Sequence, residues 1–137
     1  IVSSPYVRAV ESIRPLAHRL GIKVETDERL RERLLSQGPL PDPLERLQES
    51  FDDLDMRLAG GESSREAMAR GVSAIEDLRR HVANVTVVVT HGNLLTLLLK
   101  HFDDRFGFEE WRRLTNPDIF CVTIAEDGAR VERIWGA

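Results

Sequence analysis

The sequence predicts an α/β layered domain, a mostly parallel sheet flanked by helices with a C-terminal antiparallel hairpin. Three observations carry that reading. Val85 to Thr90 is a run of β-branched residues, apolar toward both faces, as in a strand buried on both sides. Strand-like runs alternate along the chain with segments of helical apolar period. Asp127-Gly128, between two strand-like runs near the C-terminus, marks a tight hairpin.

Ile1 and Val2 read as the tail of a strand. Ser4-Pro5 is a helix start, with serine as N-cap and proline at the first helical position. Tyr6, Ala9, Val10, Ile13, Leu16 and Leu20 then share one helix face. Pro15 should kink or shorten that helix, and Gly21 should stop it. Ile22 to Glu25 alternates as a short strand, and Asp27 to Leu35 is charged and fits neither period. Three prolines make Gln37 to Pro43 a loop. Leu44, Leu47, Phe51, Leu54 and Leu58 mark an amphipathic helix whose other face, with Asp52, Asp53 and Asp55, is solvated.

Gly60-Gly61 ends it, and Ser63 with Glu66 forms a capping box for the next helix. Met68, Val72, Ile75, Leu78 and Val82 give that helix its buried face. The Val85–Thr90 strand and a helix beginning after His91 follow. Asp103 to Gly107 is a break, Phe108 to Leu114 a short helical piece, and Asn116-Pro117-Asp118 a turn. The hairpin strands are Ile119 to Ala125 and Arg130 to Trp135.

A chain of 137 residues fits a single domain, 1–137. With 42% apolar and 31% charged residues it has the balance of a folded rather than a disordered chain. A formal charge of −4 gives no electrostatic footprint for nucleic acid. No apolar run approaches the roughly 20 residues that cross a bilayer, so no membrane partner is expected. Cys121 is the single cysteine, which excludes an internal disulfide and suits a reducing, cytoplasmic setting. The opening Ile1-Val2-Ser3-Ser4-Pro5 reads as partway into a fold, so an N-terminally truncated domain is expected.

His91 stands where the predicted strand turns into a helix. Ligands bind at that edge of open α/β sheets, and a helix start favours an anion. Gly92 lets a ligand approach the backbone. His91 is thus either a histidine beside a phosphate-sized site or a strand-end histidine bonded to a neighbouring loop. Arg8, one turn into the first helix, is either a forked clamp for phosphate or an ordinary exposed arginine. Glu32 is either a proton donor at the same edge or a surface glutamate.

Taken together, Ser3-Ser4-Pro5 through Arg8-Ala9, Gly61-Glu62-Ser63 with Arg70, Val87 to Asn93, and Asn116 resemble, in order, the motifs of the histidine phosphatase superfamily, which includes the phosphoglycerate mutases. The resemblance implies phosphoryl transfer through a phosphohistidine, on a small phosphorylated substrate. His91 and Arg8 would bind the phosphoryl oxygens with Gly92 and Asn93, and Glu32 would protonate the leaving oxygen. Fixed positive groups where charge develops lower the barrier. No cofactor and no metal are expected.

The family's nucleophile lies in an Arg-His-Gly motif on its first strand, and no Arg-His-Gly occurs here. His18, His81 and His101 all fall on or near predicted helices. The expected fold is therefore phosphoglycerate mutase-like with the first strand missing. In the family that strand lies beside the one ending at His91. Its absence would bare an apolar ladder edge, so a missing segment, a second copy in a homo-oligomer or a rearranged hairpin should cover it. The alternatives to a phosphomonoester hydrolase are an inactive phosphate-binding module and a structural or oligomerisation domain. The insert Gln37 to Leu58, apolar and acidic, argues against a bisphosphate substrate and for hydrolase over mutase.

Overall fold

A computed structural model describes residues 1–81 and 85–136. Three short parallel strands lie at its centre: β1 (Val2–Ser3), β2 (Glu25–Thr26) and β3 (Val88–Val89), in the order β2-β1-β3. Val2 stands opposite Glu25 and Val88, and Ser3 opposite Thr26 and Val89. The helices are α1 (Val7–Leu20), α2 (Pro43–Asp52), α3 (Ser64–His81), α4 (Gly92–Phe102) and α5 (Phe108–Arg112). A single 3-10 turn spans Glu28–Leu30. The chain ends in an antiparallel pair, β4 (Phe120–Ala125) and β5 (Gly128–Arg133).

The larger core joins Leu47 and Phe51 of α2, Ala67 of α3, and Leu94, Leu97 and Leu98 of α4. Helix α4 is the most deeply buried of the helices, since apolar residues surround most of its axis. Its partner α3 meets it with small residues: Ala67, Gly71 and Ala74 are buried, while Met68, Val72, Ile75 and Leu78 flank them half-buried. The expected buried face of α3 is thus rotated onto its small residues, and Val82 lies outside the described residues. The reason is close approach. A Cβ built on Gly71 would stand 2.7 Å from Leu98 Cδ2. The Ser63–Glu66 capping box forms in both directions, with the Glu66 amide donating to Ser63 Oγ (3.1 Å) and the Ser63 amide to Glu66 Oε2 (2.8 Å).

Several expectations need correction. Ser4 is not the N-cap of α1; Tyr6 is, and Ser4 Oγ is engaged elsewhere. Helix α1 runs on through Pro15, whose side chain is exposed, and stops at Gly21 in the left-handed region (φ 64°). The second strand lies later than Ile22 to Glu25, at Glu25–Thr26. Helix α2 ends at Asp52, and Leu54 packs on the core from the following turn. In the hairpin, Ala125 pairs with Gly128, so Glu126-Asp127 forms the turn.

The largest departure is at β3. Instead of a six-residue strand buried on both faces, only Val88–Val89 pairs, and Val85 is 82% exposed. Among the described residues β3 has β1 on one side and no strand on the other. The hairpin does not join the parallel sheet; it forms a sheet of its own. Among the described residues, then, no strand covers that edge. Between the two sheets lies a cavity of about 380 Å³, walled by alternate residues Thr86, Val88 and Thr90 on one side and Phe120, Val122 and Ile124 on the other. Its floor is the face of α3 and α4.

The tight α3–α4 contact makes a specific forecast. Gly71→Val should overpack against Leu98 and lower stability by about 2 kcal/mol. Urea denaturation would measure it, and an unchanged midpoint would contradict the described approach of the two helices.

Candidate functional site

His91 closes β3 and is the N-cap residue of α4, with extended backbone angles (φ −123°, ψ 160°). Its side chain is buried and its Nε2 shares a 2.8 Å hydrogen bond with Ser4 Oγ. Ser4 directly follows β1, so parallel pairing of β1 with β3 brings the two side chains together. Ser4 Oγ also accepts from the Tyr6 amide (3.3 Å). The Tyr6 ring lies 4.9 Å from the His91 ring, tilted by 58°. Two guanidinium groups sit over Tyr6, Arg8 at 4.9 Å and Arg31 at 5.5 Å from the ring centre, in cation–π range. Arg8 and His91 therefore flank the same tyrosine, and the positive charge of Arg8 is felt at the His91 ring.

Glu32 reaches this place from the segment after the 3-10 turn. Its Oε2 accepts from the Asn93 amide (3.1 Å), and its Oε1 from the amides of Leu94 (3.0 Å) and Arg33 (2.7 Å). The start of α4 thus carries an anion, as a helix start favours, but the anion is the chain's own carboxylate. The Asn93 amide is thus engaged by Glu32. Glu32 acts as an acceptor in all three contacts. Oε2 holds a single amide bond and keeps a second lone pair, where a proton can sit.

Arg70 holds that segment in place. It pairs with Glu62 through Nε (3.1 Å) and Nη2 (2.6 Å). It also donates to the carbonyls of Arg29 (2.7 Å) and Arg31 (2.8 Å). Burial pushes the Glu62 carboxyl up, but the Arg70 bonds outweigh it and hold the group below its usual range. Beneath them Arg33 is buried, donating to Ser50 Oγ (3.0 Å), Ser64 Oγ (2.9 Å) and the Glu62 carbonyl. Burial lowers its pKa from the ordinary arginine value. Thr90 Oγ1 donates to the Leu30 carbonyl (2.8 Å), fastening the end of β3 to the same segment.

Sequence reasoning missed the parts played by Tyr6, Arg31 and Arg33. It also gave Ser4 the wrong task, because a serine before a proline reads as a cap. His18, His81 and His101 are exposed on helices, and none bonds to the His91 group among the described residues. No group of three or more potential metal ligands occurs among the described residues. Nor is any described helix long and apolar enough to cross a membrane.

A sequence profile described as histidine phosphatase superfamily (branch 1) matches residues 1–135. The chain belongs to the histidine phosphatase superfamily. Solved structures agree. A mycobacterial glucosyl-3-phosphoglycerate phosphatase in complex with inorganic phosphate is similar at 26% identity and TM-score 0.72, over 100% of this chain and 76% of that one. The same phosphatase with VO3 gives 26% and 0.76, over 97% and 73%. YhfR of Bacillus stearothermophilus, at 22% identity and TM-score 0.73 over 97% and 71%, shares the fold. No curated protein matches the chain.

In this histidine phosphatase domain, burial pushes the His91 imidazole below its ordinary value near 6.5; Glu32 pulls it up, and Arg8 and Arg70 push it further down. The neutral ring is therefore favoured by folding. Protonating it costs stability as pH falls from the unfolded value near 6.5 through the lower folded one. A bound phosphate dianion would favour the imidazolium and reverse the shift. NMR titration of the His91 ring should give a pKa below 6.5 that rises when phosphate is added. A pKa above 6.5 without phosphate, or one indifferent to it, would contradict this electrostatic picture.

Proposed function

We propose that the domain serves phosphomonoester hydrolysis through a phosphohistidine. Arg8 and His91 bind the phosphoryl oxygens, and the attacking histidine comes from a strand outside these 137 residues. The observation that carries this reading is the convergence of Arg8 and His91 on Tyr6, beside the carboxylate of Glu32. The phosphate and VO3 complexes of the mycobacterial phosphatase support it. A single cysteine, Cys121, exposed on β4, agrees with a cytoplasmic setting.

The chemistry balances in two steps. A neutral imidazole nitrogen attacks phosphorus as the ester P–O bond breaks, and Glu32 gives its proton to the leaving oxygen. Water then attacks the phosphohistidine, its proton passes to Glu32, and phosphate leaves with the histidine restored. Arg8 and a protonated His91 offset the charge that gathers on the phosphoryl oxygens.

The space between β3 and β4 supports an incoming strand, because β3 has a strand on one side only among the described residues and alternate side chains of both strands line that space. A strand parallel to β3 would end beside His91. A second copy of the chain is the other candidate for that place. For these 137 residues alone, the absence of a second histidine from the His91 group favours a phosphate-binding module without turnover.

In a protein carrying the coding sequence upstream of Ile1, p-nitrophenyl phosphate should be hydrolysed, and His91→Ala should lower kcat by about 10²- to 10³-fold. No hydrolysis, or an unchanged kcat in the variant, would overturn the reading. The 137 residues alone should yield no phosphohistidine.

A further inference from the structure

A second cavity, of about 320 Å³, opens beside Glu32 on the side away from the sheet slot. Glu32 and Asn93 form its polar end, and Leu35, Leu44, Leu47 and Trp111 line the rest. The two ends differ sharply in character. At the polar end, Asn93 is buried, and its Oδ1 has no hydrogen-bond donor among the described residues. At the apolar end, Trp111 is stacked on Phe108 with ring centres 5.6 Å apart, so the indole is held in place. Trp111 also stands over the start of α4: a Cβ built on Gly92 would lie 3.6 Å from its Nε1. Leu44, 61% exposed, forms the mouth.

This arrangement bears on the substrate. A proton donor must touch the leaving oxygen, so the rest of the leaving group extends from Glu32. The room that opens there is apolar, with no cationic side chain free on its wall. Arg33, the cation that borders it, is already bonded to Ser50, Ser64 and the Glu62 carbonyl. Such a room repels a sugar or polyanion, which would lose water without finding partners, and holds a ring or branched alkyl group by burial against Trp111 and the leucines.

We infer that the cavity between α2, α5 and the Glu32 segment is the leaving-group pocket, and that it takes phosphomonoesters of apolar alcohols, aryl or branched alkyl. This inference rests on the phosphate site proposed above. Asn93 Oδ1, an acceptor, can take the hydroxyl of the alcohol once the P–O bond has broken.

Binding to the 137-residue chain tests it without turnover. Inorganic phosphate, glycerol 3-phosphate and phenyl phosphate would be titrated while the Trp111 indole N–H resonance is followed by NMR. A Trp135→Phe background leaves Trp111 as the only indole. Phenyl phosphate should bind about ten-fold more tightly than glycerol 3-phosphate and shift the Trp111 signal, while inorganic phosphate leaves that signal in place. Leu44→Asn, at an exposed position, should cut the preference about three-fold without altering the affinity for inorganic phosphate. Equal affinities for the two esters, or a silent Trp111, with phosphate still bound, would overturn the pocket assignment and leave the phosphate site standing. Failure of all three ligands to bind would overturn both.

Discussion

The carboxylate of Glu32, seated on the first amides of α4, is the contact on which the rest of the site depends. It joins the segment after β2 to the helix that begins at His91. It also sets the boundary between two spaces, the cationic ground around Tyr6 and the apolar cavity under Trp111. Arg70, paired with Glu62, supports it from behind by donating to the carbonyls of Arg29 and Arg31. A carboxylate at a helix start is favoured by the local dipole. Bringing it there from a loop with little regular structure takes the whole Arg70, Glu62 and Arg33 assembly. The place of Glu32 thus comes from buried Arg33 and half-buried Arg70 more than from the parallel sheet, whose strands are only two residues long.

The sheet contributes differently. Parallel pairing of Val2–Ser3 with Val88–Val89 aligns two strand ends, and so sets Ser4 against His91. On its other side β3 stops contributing. Alternate side chains of β3 and β4 line one cavity between the two sheets. With β3 paired on one side only among the described residues, that space is suited to extended backbone. Val85, ahead of the two paired residues of β3, is left in solvent.

Much of this was legible in the sequence, and the exceptions have identifiable causes. The α4 helix was plain because Leu94, Leu97 and Leu98 recur at helical spacing after a β-branched run. The capping box of α3 was plain because both its side chains are local. The buried face of α3 was not, because close helix packing favours Ala67, Gly71 and Ala74, which carry almost no hydropathy signal. The site followed the same division. His91, Arg8 and Glu32 stood out through the resemblance, but the pairing of Glu32 with Asn93 spans 61 positions, and that of His91 with Ser4 spans 87. Neither leaves a local trace. Ser4 misled because serine before proline also caps helices. Arg33 was invisible because a buried arginine reads, in sequence, as a surface one.

The central claim is that two cations from separate segments act on one oxyanion. A double-mutant cycle on phosphate affinity tests it most directly, with Arg8→Ala, His91→Ala and the pair. Groups that share one ligand are coupled, so the double variant should lose less affinity than the sum of the single losses, with a coupling of about 1 kcal/mol. Losses that simply add, or a single variant that binds phosphate as well as the parent chain, would contradict the account.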